Sequence, residues 1–254
     1  MELYGLLGKT LKHSFSGEYF GKKFDKERID AEYRLFEFDD VPDLHAFAKD
    51  NSSLKGLNVT IPFKRKVIHQ LDDASNIVKI TGNANVIKII RKNGHVKLVG
   101  FNTDVRGFER SLKPLVRKKN NLRALILGTG GAAHSVAFVL RKMGIYFYFV
   151  TRNPKKVEML GYSWVTPEVI KECQLIVNAS PIGMFPDANA CPDIPYENLS
   201  PEHILFDLIY NPAETCFLKK GKESGAILKN GLEMLEIQAD ESWKIWKNKS
   251  DFLL

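Results

Sequence analysis

Apolar positions fall into short runs of two kinds. Leu3-Tyr4-Gly5-Leu6-Leu7 is almost continuously apolar, whereas Tyr33-Arg34-Leu35-Phe36-Glu37-Phe38 alternates with period two, and both read as strands. Leu57-Asn58-Val59-Thr60-Ile61 reads as a third strand, with Asn58 and Thr60 on one face, and Pro62 closes it. Proline suits the first position of a helix, where its missing N–H costs nothing, so a helix is expected from Pro62 with Lys64 in its first turn. Asn93-Gly94 is flanked by two further apolar runs, Ala84 to Arg91 and Val96 to Phe101. That dipeptide accepts positive φ at both positions of a two-residue hairpin turn, so the register pairs Lys92 with His95 and Asn85 with Asn102. Asp104 then lies diagonal to Asn85.

From Asp104 to Lys119 a helix-like, increasingly basic stretch leads away from the first half, and Asn120-Asn121 breaks it. A domain boundary is expected in this connection. The apolar run Leu122 to Leu127 follows, then Gly128-Thr129-Gly130-Gly131-Ala132-Ala133, a helical pattern at Val136, Val139, Leu140 and Met143, and a strand Tyr146 to Val150. Strands alternating with helices predict an α/β chain whose second half carries a parallel sheet with right-handed crossovers. The last segment, Leu232 to Trp246, places Leu235, Ala239, Trp243 and Trp246 at helical spacing.

Composition narrows the class of function. A chain of 254 residues, 44% hydrophobic and 26% charged, can bury a sizeable core. Its net charge of +7 comes from scattered clusters such as Lys64-Arg65-Lys66 and Arg117-Lys118-Lys119, with no RNP or zinc-finger pattern. Those clusters read as solvated surface rather than a nucleic-acid interface. No secretory leader and no apolar stretch long enough to span a bilayer is visible, so a cytoplasmic protein is expected. Cys173, Cys191 and Cys216 lack metal or disulfide spacing and read as ordinary thiols.

The candidate chemistry begins at the glycine turn. In Gly128-x-Gly130-x-x-Ala133 the first glycine permits a tight turn and the second lets backbone approach a pyrophosphate, while the small third residue lets helix and strand pack closely. A turn of this kind also occurs for purely structural reasons. The strand before it, the helix after it and the second strand favour a Rossmann-type dinucleotide site. Arg152, at the end of that second strand, stands where an NAD enzyme would offer a carboxylate, which points to the 2′-phosphate of NADP.

Elsewhere, Ser14 and Ser16 flank Phe15 in what reads as an extended loop, so their hydroxyls would point the same way and could hold a carboxylate. Lys64 at a helix start would meet the positive end of the dipole, which eases release of its proton. Asp104 serves either as a helix cap or as a carboxylate partner to such a lysine. Gln238 lies in the apolar stripe of the last helix, where a buried amide needs partners.

Together these motifs resemble the shikimate dehydrogenase family over nearly the whole chain. The resemblance is carried by His13-Ser14-Phe15-Ser16, Asn58 to Lys64, Gly82-Asn83-Ala84-Asn85, Asn102-Thr103-Asp104, Gly128 to Ala133, Asn178 to Met184, Asp207 to Pro212, and Gly231 with Met234-Leu235 and Gln238. It implies reversible NADPH-dependent reduction of 3-dehydroshikimate to shikimate, on the route to aromatic amino acids. It also implies a substrate domain of residues 1–105 with 236–254, to which the last helix returns, and an NADP-binding Rossmann domain of residues 106–235. By the same similarity Lys64 and Asp104 form the acid–base pair, and no metal is required. The substrate contacts fall on Ser14, Ser16, Thr60, Lys64, Asn85, Asp104, Tyr210 and Gln238. The NADP contacts fall on Gly128, Gly130, Gly131, Ala132, Ala133, Arg152, Asn153, Lys156, Ala179, Ser180, Leu208 and Gly231. A monomer or homodimer is expected. Phe15 and Gly17 stand where leucine and proline are commoner, and Asn83 where a small apolar residue is. Lys156 stands where arginine is frequent. A quinate/shikimate dehydrogenase preferring NAD and a non-catalytic regulatory module are the rival readings; retention of both Lys64 and Asp104 speaks against the second.

Overall fold

The computed structural model describes all residues except 13, 118, 120 and 249–254. His13 and part of the expected break at Asn120-Asn121 therefore lie outside the described residues. The chain divides into two compact units, residues 1–103 with 238–254, and residues 104–237.

The first unit contains β1 (Glu2–Gly8), α1 (Phe15–Glu27), β2 (Ala31–Glu37), α2 (Leu44–Asp50), β3 (Leu54–Val59), β4 (Asp73–Ala74), α3 (Asn76–Thr81), β5 (Val86–Lys92) and β6 (His95–Phe101). Its strands form one mixed sheet in the order β2-β1-β3-β5-β6-β4. β1 is parallel to both β2 and β3, while β5 runs antiparallel to β3 and β6. β1 is buried along nearly its whole length, which explains why its sequence does not alternate. The hairpin has the expected register, with Lys92 opposite His95 and Val86 opposite Phe101, and Asn93 and Gly94 at its turn have φ of 51° and 77°. On one side of the sheet Leu7, Leu57, Phe63, Ile87 and Leu98 share a core with α2 and α3. A second, aromatic core gathers Tyr4, Phe20, Phe24 and Trp246.

The second unit contains α4 (Asp104–Val116), β7 (Arg123–Leu127), α5 (Gly131–Lys142), β8 (Tyr146–Val150), β9 (Met159–Leu160), α6 (Pro167–Glu172), β10 (Leu175–Asn178), β11 (Ile204–Asp207), α7 (Cys216–Glu223) and β12 (Ile227–Lys229). Every strand pair in its sheet is parallel, in the order β12-β11-β10-β7-β8-β9. Counted from β7 this is the order 3-2-1-4-5-6 read from the far edge, the arrangement of dinucleotide-binding Rossmann folds, whose strand order reverses between the first and fourth strands. Here that reversal falls between β7 and β10. The last helix, α8 (Leu232–Lys247), starts in this unit and ends in the first, because the division falls at Gln238.

Candidate functional site

In the first unit the structure changes the surroundings of both serines. Ser14 and Ser16 do not lie in an extended loop: Ser14 caps α1, its Oγ accepting the Ser16 N–H at 3.3 Å, and Ser16 lies inside the first turn. Capping decides this, because a serine oxygen satisfies an N–H that the helix start leaves without a partner. The two hydroxyls thus sit at the positive end of a thirteen-residue helix, an environment that favours an anion. Ser16 is buried and its hydroxyl bonds to Tyr33, whose phenol burial pushes up.

The expected helix at Pro62 is also absent. The Ile61–Pro62 bond is cis, residues 61–65 form a turn, and only a short 3-10 segment, Lys66–Gln70, follows. Lys64 therefore does not stand in the first turn of an α-helix, contrary to the expectation from Pro62. Its backbone is held instead by the segment that precedes β5. The Lys64 carbonyl accepts the Ala84 N–H at 2.8 Å, and the Asn85 carbonyl accepts the Val59 N–H at 2.8 Å. Phe63, fully buried, anchors the turn between them, and its N–H bonds to the Thr60 carbonyl at 2.9 Å. Thr60 and Lys64 are thereby tied to the segment that carries Asn85.

Asn85 is the centre of a buried polar cluster. Its Oδ1 accepts the Thr103 N–H at 2.7 Å, and its Nδ2 donates to Thr103 Oγ1 at 2.9 Å and to Gln238 Oε1 at 3.1 Å. Ser242, one turn after Gln238, donates to the Gln238 carbonyl at 2.7 Å and lies 3.3 Å from Thr103 Oγ1. Asn58 joins the cluster from β3, donating to Ser242 Oγ at 3.0 Å and accepting from Tyr33 at 2.8 Å. Asp104 follows Thr103 directly, opens α4 and is 4% exposed. Of these, Asn85 and Gln238 are expected from the sequence, which assigns no role to Tyr33, Thr103 or Ser242 and marks Asn58 only by its shared strand face with Thr60.

In the second unit the glycine turn leaves β7 and enters α5. Gly128 has φ of 108°, a conformation costly for any other residue, and a Cβ there would meet the Ala179 carbonyl oxygen at 3.2 Å. Gly130 occupies the N-cap position of α5 without a side chain to cap it, and a Cβ there would meet nothing within 4 Å. The space beside Gly130 is thus open to a phosphate, while Ala133, in the first turn of α5, is fully buried. These features fit a pyrophosphate at a helix N-terminus. Arg152, Asn153 and Lys156 are exposed beyond the end of β8.

The ends of β10 and β11 are joined by a buried carboxylate. Asp207 Oδ1 accepts from Asn178 Nδ2 at 3.1 Å and from the Ile209 N–H at 3.0 Å, and its Oδ2 accepts from the Thr215 hydroxyl at 2.6 Å. Burial outweighs these bonds and pushes Asp207 up to about 6. Asn178 in turn accepts from the Ser180 N–H at 3.1 Å and hydroxyl at 2.7 Å, which shapes the segment holding Ala179 and Ser180. Gly231 packs on Leu208 so closely that a Cβ would lie 2.6 Å from the Leu208 carbonyl carbon. Tyr210 lies two residues beyond Leu208, half-buried. All three cysteines are free, and burial pushes Cys173 up to about 11.

Residues 6–87 match the family model for the shikimate dehydrogenase substrate binding domain. The NADP(+) shikimate dehydrogenase of Desulforamulus reducens is 34% identical over 96% of this chain and 89% of its own. Its counterpart in Caldicellulosiruptor saccharolyticus is 36% identical over 95% and 90%. Among solved structures, the shikimate dehydrogenase of Aquifex aeolicus matches with a TM-score of 0.84 and 34% identity, covering 97% of this chain and 92% of that one. No helix among the described residues is long and apolar enough to cross a membrane. With its α/β architecture and these relatives spanning almost its full length, the chain belongs to the shikimate dehydrogenase family.

Proposed function

We propose that the protein catalyses the reversible NADP-dependent oxidation of shikimate to 3-dehydroshikimate, a step toward aromatic amino acids. The observation that carries the reading is the orientation of Gln238. Its Oε1 is taken by Asn85, and no hydrogen bond of its Nε2 is found among the described residues, so the amide presents a donor to a ligand hydroxyl. A buried amide held in that way suits recognition of a polyol. The relatives' printed activity agrees: the Thermus thermophilus shikimate 5-dehydrogenase structure, 29% identical with a TM-score of 0.82, was solved with NADP(H) and shikimate, and covers 97% of this chain and 94% of that one.

On this reading Ser14 and Ser16, with the N-terminus of α1, hold the substrate carboxylate. Thr60, Asn85, Asp104 and Gln238 bind the ring hydroxyls, with Tyr210 as a further contact. Lys64 and Asp104 act as the acid–base pair: Lys64 takes the proton of the reacting hydroxyl during oxidation and returns it to the alkoxide during reduction. Gly128, Gly130, Gly131, Ala132 and Ala133 hold the NADP pyrophosphate, and Arg152, Asn153 and Lys156 its 2′-phosphate. Ala179, Ser180, Leu208 and Gly231 flank the nicotinamide. The dinucleotide, when bound, supplies the hydride chemistry. Residues 1–105 with 236–254 serve as substrate domain and residues 106–235 as NADP domain, in a cytoplasmic monomer or homodimer.

The test is NADP reduction followed by absorbance at alkaline pH with shikimate as sole substrate, repeated with quinate and with NAD. Turnover highest for shikimate with NADP is expected. No reduction with shikimate would sink the proposal, and equal turnover on quinate with NAD would replace it with the broader quinate/shikimate activity.

A further inference from the structure

Asp207 is a titratable group, fully buried, that no step of the proposed reaction uses. It lies at the end of β11, and its hydrogen bonds run to three different places. One goes to the side chain of Asn178 at the end of β10, one to the backbone of Ile209, and one to Thr215, which caps α7. Burying a carboxylate works against stability, so three donors converging on one is an arrangement that favours geometry over stability.

The geometry it sets is specific. Asn178 has two N–H donors, and they go to Asp207 Oδ1 and to the Ile182 carbonyl at 3.1 Å. That leaves Asn178 Oδ1 facing the Ser180 N–H and hydroxyl. If the amide turned over, its oxygen would face the carboxylate and the Ile182 carbonyl, and its N–H groups would face the Ser180 donors. The carboxylate therefore fixes which way the Asn178 amide points, and the amide fixes the turn at Ala179–Ile182. The Ile209 N–H bond does the same for the second segment, where the Ile209 carbonyl also accepts the Gly231 N–H at 3.0 Å.

We propose that Asp207 is a positioning residue for the nicotinamide end of NADP: through Asn178 and Ile209 it holds the Ala179–Ser180 and Leu208–Gly231 segments in the shape that binds it. This rests on the assignment of those segments to the dinucleotide. The bonded groups of this network all belong to the second unit, so its loss is expected to fall chiefly on NADP.

The experiment measures NADP+ binding by titration calorimetry and the KM for shikimate by steady-state assay, in wild type, Asp207→Ala and Asp207→Asn. Asp207→Ala is expected to weaken NADP+ binding tenfold or more while the shikimate KM stays within about twofold. Asp207→Asn keeps an amide oxygen that can accept from Asn178 and Ile209, and is expected to restore most of the affinity. Should Asp207→Ala not accumulate as folded protein, Asn178→Ala breaks the same link from the other side and should give the same NADP-specific loss. A folded Ala variant that binds NADP+ as wild type does, or one that weakens both ligands equally, overturns the positioning role. A wild type that binds no NADP+ overturns the dinucleotide assignment itself, and the two failures are thus told apart.

Discussion

Gly56 in β3 gives the sharpest prediction about what holds α8 in place. A Cβ at this position would overlap the Nε1 and Cδ1 atoms of Trp246 and lie 2.7 Å from Cε2. The indole has no room to retreat: it is 6% exposed, its ring lies 4.9 Å from that of Tyr4 and 5.5 Å from that of Phe20, and its N–H donates to the Ile87 carbonyl at 3.1 Å. Gly56→Ala must therefore displace Trp246, combining an overpacking cost with the loss of a buried hydrogen bond, together about 2–4 kcal/mol. For a chain of this size that corresponds to a fall in Tm of roughly 5–15 °C. Because Gln238 lies on the same helix, the KM for shikimate should rise as well. Gly21, inside α1, is the matched control, since a Cβ there meets nothing within 4 Å. Gly21→Ala should raise stability by about 0.5–1 kcal/mol, through reduced freedom of the unfolded chain. Differential scanning calorimetry of both variants is the assay. If Gly56→Ala melts with the wild type, Trp246 does not pack tightly on β3 at Gly56.

Three further outcomes are expected. Gln238→Ala should raise the KM for shikimate about tenfold, the equivalent of one hydrogen bond, and leave the KM for NADP+ unchanged; a shift in both would argue against a substrate role. Gly130→Ala should leave Tm unaltered, because the site is open, yet weaken NADP+ binding at least tenfold by filling the phosphate cradle, and unchanged binding by calorimetry would remove the turn from the site. Asp207 predicts a pH dependence of stability. Its folded value of about 6 lies above the ordinary 3.8, so the folded protein binds the proton more tightly and stability falls as pH rises from about 4 to about 6, by on the order of 3 kcal/mol. Measured against Asp207→Asn, which does not ionise, the Tm of wild type should fall across that window; a relative Tm that rises would reverse the sign.

Much of the fold was legible because it depends on local pattern. The register of the β5–β6 hairpin followed from Asn93-Gly94, and the turn from β7 into α5 followed from three small residues in a strand-to-helix context. What escaped sequence reading has non-local causes. Pro62 is as compatible with a tight turn as with a helix start, and the turn is settled by the burial of Phe63 and by the bond from Ala84 to the Lys64 carbonyl, twenty residues apart. Ser14 carried a helix-cap signal that the serine pair obscured, because two hydroxyls around one aromatic residue read equally well as an extended segment. Tyr33, Thr103 and Ser242 each look like ordinary polar positions. Their partners come from β3, from the segment before β5 and from α8, and only the folded chain brings these together.

The most direct test of the proposed chemistry is the turnover of Lys64→Ala at saturating shikimate and NADP+, measured beside shikimate binding. kcat is expected to fall by orders of magnitude while shikimate affinity changes little, because the proposed part of Lys64 is to move the proton while the other substrate contacts hold the ring. A variant that turns over at a rate close to wild type would remove Lys64 from the chemistry and contradict the proposed mechanism.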